Sequence, residues 1–298
     1  MSMFKKAERK QSKLRLALTG ASGSGKTTAA LNIATGMGGK IAVLDTENGS
    51  ASLYADQFDF DVVNLTAPYT PERFIEVIGA AEKAGYDILI IDSASHEWSG
   101  KGGCLEINDM LAASKFRGNT WSAWSETTPR HRAFIDAMLR SPMHIIVTMR
   151  SKTETVQGEG KKVMKLGMKS EQRDGVEYEF TTVLDLQHES HLATATKDRT
   201  RLFMSADPQR ITKDTGAALM EWLNSGKADK TITPEQRDQL QELMAEAGVD
   251  VATFCIKRGL QSPLEVKESV FDETVLALNE RIKKQKQAAA AVTEPEVH

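Results

Sequence analysis

Residues Gly20-Ala-Ser-Gly-Ser-Gly-Lys-Thr27 fit the pattern G-x-x-x-x-G-K-[ST], directly after an apolar β-type run and at the head of a helical pattern. Glycines there let backbone N–H groups turn inward around phosphate oxygens. The start of the helix adds partial positive charge. A lysine in a first helical turn is unfavourable by roughly 0.3–1 kcal/mol, and an anion bound at that spot reverses the sign. A chance match arises in roughly one random chain in a hundred of this length, before any strand–loop–helix context is demanded. The expectation is a phosphate cradle of Gly20, Ser22, Gly23, Ser24, Gly25, Lys26, Thr27 and Thr28, with the Thr27 hydroxyl helping to hold Mg²⁺.

A nucleotide site needs an acid beside that loop, and Asp87-Ile-Leu-Ile-Ile-Asp92 ends an apolar strand in one. Asp92 is the candidate Mg²⁺ acid. No N/T-K-x-D stretch that would select guanine is present, which favours ATP over GTP. Hydrolysis also needs a group that orients water. Ser93 follows Asp92, so the Asp-Glu pair of many motor ATPases is missing. Two acids are open for the role: Glu47, just beyond the second strand, and Glu97, in Ser95-His-Glu-Trp98.

Around these motifs the chain alternates strands and helices. Apolar runs at 14–18, 41–44, 62–65, 88–91 and 144–148 are separated by helical patterns at about 26–36, 71–84 and 128–140. That succession predicts right-handed crossovers and a mostly parallel sheet. From about 152 the pattern turns antiparallel, with KTETVQ and KKVMKLG flanking Gly158-Glu-Gly160, and FTTVLDLQ followed by HLATATKDR. Thr233-Pro-Glu-Gln236 is a helix start with a capping box. Leu240, Leu243, Met244 and Ala247 follow at helical spacing. The predicted plan is α/β: a basic arm over 1–13, an ATPase core over 14–226, a linker over 227–232, a helical module over 233–286 and a disordered tail over 287–298.

Composition narrows the partners. Among 298 residues no apolar run approaches the ~18 that a membrane span needs, so no membrane role is expected. Two distant cysteines, Cys104 and Cys255, predict a reducing, cytoplasmic setting without disulfides. The six histidines show no ligand spacing with them, and His188 and His191 form only a weak pair near a turn, so no structural zinc is expected. A net charge of −3 gives no global affinity for nucleic acid, so that claim falls to local patches.

IAVLDTENGSASLYA, DILIIDSASHEW, HIIVTMRSK and ATATKDRT follow one another in the order and spacing of RecA-like ATPase cores. Over about residues 14–203 the chain resembles the bacteriophage branch of RecA-like ATP-binding proteins, which includes single-strand annealing proteins with a shortened RecA core. The resemblance implies a RecA-like P-loop core with an antiparallel hairpin extension, and ATP and Mg²⁺ as cofactors. It also implies single-stranded DNA and further copies of the chain as partners, in a phage-infected bacterial cytoplasm. It moves the water-orienting role to Glu47 and makes Thr148, with Arg150 beside it, the sensor of the γ-phosphate. It gives Lys197 and Arg199 the role of a cation pair reaching the γ-phosphate bound by a neighbouring subunit. Without the resemblance they read as charges protecting an edge strand.

The same comparison implies DNA contacts at Lys101, Arg117, Trp121, Arg150, Lys152, Lys161, Lys162 and Lys165. The 150–173 hairpin carries seven basic residues against three acidic, and the first fifteen residues carry six against one. Cationic grooves with aromatic platforms suit sequence-tolerant single-strand binding. Only about thirteen residues precede the first strand, which favours annealing over full strand exchange. The C-terminal module is a candidate site for DNA, a single-strand-binding protein or another subunit. Two other readings fit the loop: a P-loop kinase of a small metabolite, and a DNA-binding protein that uses ATP only as a conformational ligand.

Overall fold

A computed structural model of the chain describes residues 6–157, 163–228, 230–258 and 260–292, with the backbone alone for 153–157, 163–168 and 288–292. The chain divides into two compact units, one of residues 12–225 and one formed by residues up to Gln11 together with those from Gly226 onward.

The larger unit is built on an eight-stranded sheet. Its strands are β1 (Arg15–Gly20), β2 (Ile41–Asp45), β3 (Asp61–Asn64), β4 (Ile88–Asp92), β5 (His144–Gln157), β6 (Val163–Ser170), β7 (Thr182–Leu186) and β8 (Ala193–Asp198). The spatial order is β3-β2-β4-β5-β1-β7-β8, and β6 pairs only with β5. All neighbours along this path are parallel except β7 and β8. The expected α/β class and mostly parallel sheet are therefore present, and the β5–β6 hairpin is the antiparallel extension.

Two apolar layers cover the sheet. Leu14, Leu16, Leu18, Ile88 and Ile90 pack on one side with α1 (Lys26–Met37), while Ala17, Leu89 and Ile91 pack on the other with Phe74 and Phe134. The unbroken run Ile-Leu-Ile-Ile of β4 reads this way because both of its faces are buried. Phe74 lies on α2 (Pro71–Lys83). The short helix α3 (Ser95–Ser99) follows β4, and α4 (Cys104–Ser114), not expected from sequence, follows it. Phe134 lies on α5 (Thr120–Arg140), which begins eight residues before the predicted start at 128. Pro129 inside the helix made 128 look like a beginning, whereas Asn119, accepting from Ser122 N at 3.0 Å, is the true cap.

Against α1 lies α6 (Lys213–Asn224), so close that the helices touch through glycine. A Cβ on Gly216 would stand 2.1 Å from the Ile33 carbonyl oxygen, and one on Gly36 1.8 Å from that of Lys213. Backbone cannot yield as a side chain does. Gly216→Ala is expected to cost about 3 kcal/mol and lower Tm by roughly 6–12 °C in a thermal melt.

The root of β1 is unusual. Arg15, counted from sequence with the basic arm, is buried, and its guanidinium donates to the carbonyls of Leu14 and Met143 (2.8 Å each) and Leu139 (3.0 Å) and to Ser141 O. It therefore holds the end of α5 and is no DNA contact. Beside it, His144 Nδ1 accepts from Leu14 N at 3.0 Å. Burial first, then the charges of Lys13 and Arg15, push His144 down to about 4. Its folded-state value lies below the ordinary 6.5, so this contribution is complete above about pH 6.5 and is lost as pH falls towards 4. At about 1.4 kcal/mol per unit the loss is on the order of 3 kcal/mol. His144→Asn keeps an acceptor and does not titrate, so melts between pH 7 and 4 should show a flatter fall in Tm than wild type.

The smaller unit contains α7 (Pro234–Glu246), α8 (Val251–Arg258) and α9 (Glu268–Val292) around Leu240, Met244, Phe254, Phe271, Leu278 and Ile282. The predicted capping box is formed: Gln236 N donates to Thr233 Oγ1 at 3.3 Å, and Thr233 N to Gln236 Oε1 at 2.9 Å. Residues of the basic arm pair here, with Gln11 N donating to Lys227 O (3.0 Å) and Lys227 N to Arg9 O (2.8 Å). Helix α9 continues past 286, where a tail was expected, to Val292, because the alanine run 288–291 is strongly helix-forming. The remainder of that tail lies outside the described residues. Among the described residues, no helix is long and apolar enough to cross a membrane. Cys104 and Cys255 are free and buried.

Candidate nucleotide site

The loop Gly20–Thr27 joins β1 to α1 as the motif requires. Gly23 and Gly25 take φ of 79° and 88°, where L side chains are strained. Gly20 has no room for a side chain: a Cβ would meet Ser24 Oγ at 2.5 Å and Leu186 O at 2.7 Å. Lys26 Nζ donates to the carbonyls of Gly20 (2.9 Å) and Ala21 (2.8 Å), so its ammonium crosses the mouth of the loop. Burial lowers its pKa, against the pull of Asp92 and Glu47.

Asp92, at the end of β4, is buried and accepts from Thr27 Oγ1 at 2.6 Å and from Thr148 Oγ1 at 2.5 Å. Burial raises its pKa, and the two hydroxyls work against that. A hydroxyl and a carboxylate side by side are hard oxygen donors of the kind Mg²⁺ prefers, so Thr27 and Asp92 fit that ion. Thr148, expected to face the γ-phosphate, is fully buried and its hydroxyl is spent on Asp92. Among the described side chains of β5, Arg150, two residues on, lines the cleft.

A cleft of about 270 Å³ lies between the loop and the segment after β2, with Lys26, Thr27, Glu47, Asp92 and Arg150 on its walls. Glu47 receives a bidentate pair from Arg150, with Nε donating to Oε1 at 2.9 Å and the second nitrogen to Oε2. Burial acts to raise the Glu47 carboxyl, but the Arg150 hydrogen bond and charge outweigh it and hold it below the usual range. Arg150, expected both beside Thr148 as a γ-phosphate sensor and as a DNA contact, is thus a wall of the nucleotide cleft. Buried Asp45 shapes the turn that presents Glu47, accepting from Glu47 N (2.6 Å) and Ala51 N (2.8 Å). Sequence reasoning missed Tyr54 and Leu53 at the cleft rim. Their only signal was an aromatic residue seven places after Glu47.

Glu97 is elsewhere. It is wholly buried and accepts from Cys104 Sγ (3.0 Å), His131 Nδ1 (3.1 Å) and Gln172 Nε2 (3.3 Å). Cys104 and His131, which sequence spacing left unrelated, therefore meet on this carboxylate, and their ligand-type atoms all lie within 4.8 Å of one another. Residues 97, 104 and 131 come from α3, α4 and α5, a convergence that no linear spacing reveals. The donor types suit a zinc site with three protein ligands. Here the thiol and imidazole hydrogens are spent on Glu97, which is how a buried carboxylate is satisfied.

His188 and His191 also prove better placed than their spacing suggested. The connection between β7 and β8 lays them on the phosphate loop, with His191 Nδ1 3.1 Å from Ser24 O. A Cβ on Gly23 would meet His188 Cε1 at 3.1 Å.

Lys197 and Arg199 lie far from this loop. Lys197 pairs with Val183 and Asp198 with Thr182, beside Leu16 at the start of β1. The two cations are therefore at the opposite end of the strands from Gly20, and Lys197 Nζ donates to the carbonyls of Glu177 (3.1 Å) and Tyr178. Of the proposed DNA contacts, Lys101, Arg117, Trp121 and Lys152 are exposed, Lys152 pairing with Glu171 at 3.2 Å. Lys161 and Lys162 lie outside the described residues, and only the backbone of Lys165, in β6, is described.

A strand–loop–helix phosphate cradle, its lysine and hydroxyl, and a buried acid at the end of β4, two places from β1 in the sheet, define a P-loop nucleotide-binding protein. A family model described as an AAA domain matches residues 12–215, more than half of the chain, and the chain belongs to that family. A comparison with curated proteins gave no match. The AAA-type domain fits a nucleotide-binding role with ATP and Mg²⁺.

Proposed function

We propose that the protein is an ATP-hydrolysing, RecA-like enzyme that acts on single-stranded DNA, in the manner of phage single-strand annealing proteins. In this reading Lys26 and the loop amides hold the triphosphate, Thr27 and Asp92 hold Mg²⁺, and Glu47 orients the water. Tyr54 offers a ring at the rim against which adenine stacks.

One observation carries the coupling to DNA. Arg150 grips Glu47 in the cleft and also stands at the root of the β5–β6 hairpin, where its carbonyl accepts from Glu171 N. A polyanion on the hairpin would thus be felt at the acid that orients water. ATP turnover measured with and without single-stranded oligonucleotide tests the reading. Stimulation is expected; phosphate transfer to a small acceptor would support a metabolite kinase, and binding without turnover an ATP-gated protein.

Lys197 and Arg199 supply the neighbour's site, since they lie at the far end of the sheet from their own loop. A Lys197→Ala/Arg199→Ala double variant is expected to bind ATP yet hydrolyse it at least about 1000-fold more slowly, the lower end of the range for a supplied arginine. Mixed with Lys26→Ala, which keeps both cations, it should recover part of the activity, because some interfaces join an intact loop to an intact pair. Co-sedimentation on single-stranded DNA first establishes that the proteins mix. No recovery in mixed assemblies would remove the trans role.

A further inference from the structure

Three of the four tryptophans of the chain converge away from the nucleotide cleft. Trp98 of α3 and Trp124 of α5 stack with centroids 5.5 Å apart and planes 16° from parallel. The Arg173 guanidinium lies 5.9 Å from the Trp124 ring. Trp121, one turn earlier on α5, is 86% exposed. With Phe116 and Arg132 they line an open cleft of about 860 Å³.

A tryptophan this exposed is informative where an exposed leucine is not. Charge narrows what it awaits. In a chain of net charge −3, the cleft presents two arginines and, among its lining residues, no carboxylate. Flat aromatic faces beside guanidinium groups without acids suit a ligand that is alternately planar and anionic. Arg173 follows β6 by three residues, so the cleft opens at the foot of the hairpin through which we propose DNA acts.

We infer that this cleft takes unpaired nucleobases of a single-stranded nucleic acid, one stacking on Trp121, with Arg132 and Arg173 holding the flanking phosphates. The inference rests on the DNA-coupled reading above and adds a base-stacking site, and with it a preference for single over double strands, whose bases are already stacked. Trp98 sits on α3, whose Ser95 Oγ accepts from Arg150 N at 2.9 Å, so occupancy adjoins the residue that grips Glu47.

The test uses the full chain with MgATP and two 30-mers: oligo-dT and an abasic strand of equal length. Binding is followed by tryptophan emission and by anisotropy of a labelled strand. Oligo-dT should quench wild-type emission. Trp121→Ala, an exposed position with little packing to lose, should bind oligo-dT about 5- to 100-fold more weakly, as one lost base stack implies. Trp121→Phe should restore most of that, and the abasic strand should bind wild type and Trp121→Ala alike. Equal oligo-dT affinity in Trp121→Ala overturns the stacking site and leaves the DNA reading standing. Failure of wild type to bind either strand overturns both. If Trp121→Ala changes only the sedimentation of the protein, a second copy of the chain occupies the cleft and the inference falls.

Discussion

Lys26→Ala should lose ATP binding by at least about 100-fold and, with it, all turnover, while melting within about a degree of wild type. The ammonium donates to the Gly20 and Ala21 carbonyls at the mouth of the loop rather than to the sheet, and Lys26 is a member of neither apolar layer. Its removal takes away the charge-assisted contacts that a bound phosphate would receive, each worth roughly 1.5–3 kcal/mol, in a site where water does not replace them well. Titration calorimetry with MgATP measures the first effect and a thermal melt the second. Hydrolysis near the wild-type rate would overturn the assignment of the loop, and with it the enzyme.

Glu47→Gln should bind MgATP about as tightly as wild type and hydrolyse it roughly 10²–10⁴-fold more slowly, the usual range for losing a positioned acid or base. The amide keeps the shape and can still accept one hydrogen bond from Arg150, so the loss is charge rather than structure. Glu97→Gln should behave in the opposite way. Its carboxylate satisfies donors from Cys104, His131 and Gln172 in the interior, so an amide there sets N–H against N–H and lowers Tm. Slow turnover with unchanged Tm in Glu97→Gln, and normal turnover in Glu47→Gln, would mean that the other glutamate orients the water. The pH dependence gives an independent check. Arg150 holds the Glu47 carboxyl below its ordinary range, so turnover should persist on acidification to about pH 5. In Arg150→Gln, burial is opposed only by the weaker pull of His96 and Lys26, and the acid limb of the rate profile should move to higher pH.

Much of the parallel sheet was legible because a strand buried on both faces is apolar throughout. The runs at 41–44 and 88–91 match β2 and β4 to within a residue. The edge strand β3, exposed along its length, was displaced by one residue from its predicted position because no core face constrained it. Helix α4 escaped notice because its apolar face is narrow, with Cys104, Ile107 and Ala112 buried beside the polar Asn108.

The nucleotide loop and Asp92 needed no structure to find. Asp92 is marked by its place at the end of an apolar strand and meets Thr27 and Thr148 only in the fold, whereas the loop's chemistry depends on backbone conformation and on neighbours a few residues away, which the glycines, lysine and hydroxyl carry locally. The same holds for the capping box at Thr233, whose partners are three residues apart. What only the tertiary structure decided are contacts between distant segments: Arg150 on Glu47, 103 residues away; His131 and Cys104 on Glu97; His191 on the phosphate loop; three tryptophans around one cleft. Such pairs meet because crossover connections bring the ends of non-consecutive strands together at one edge of the sheet, and side-chain reach then selects the partner. Residue spacing along the chain records local geometry, whereas the charge state of Glu47, the burial of Glu97 and the far placement of Lys197 and Arg199 follow from strand order.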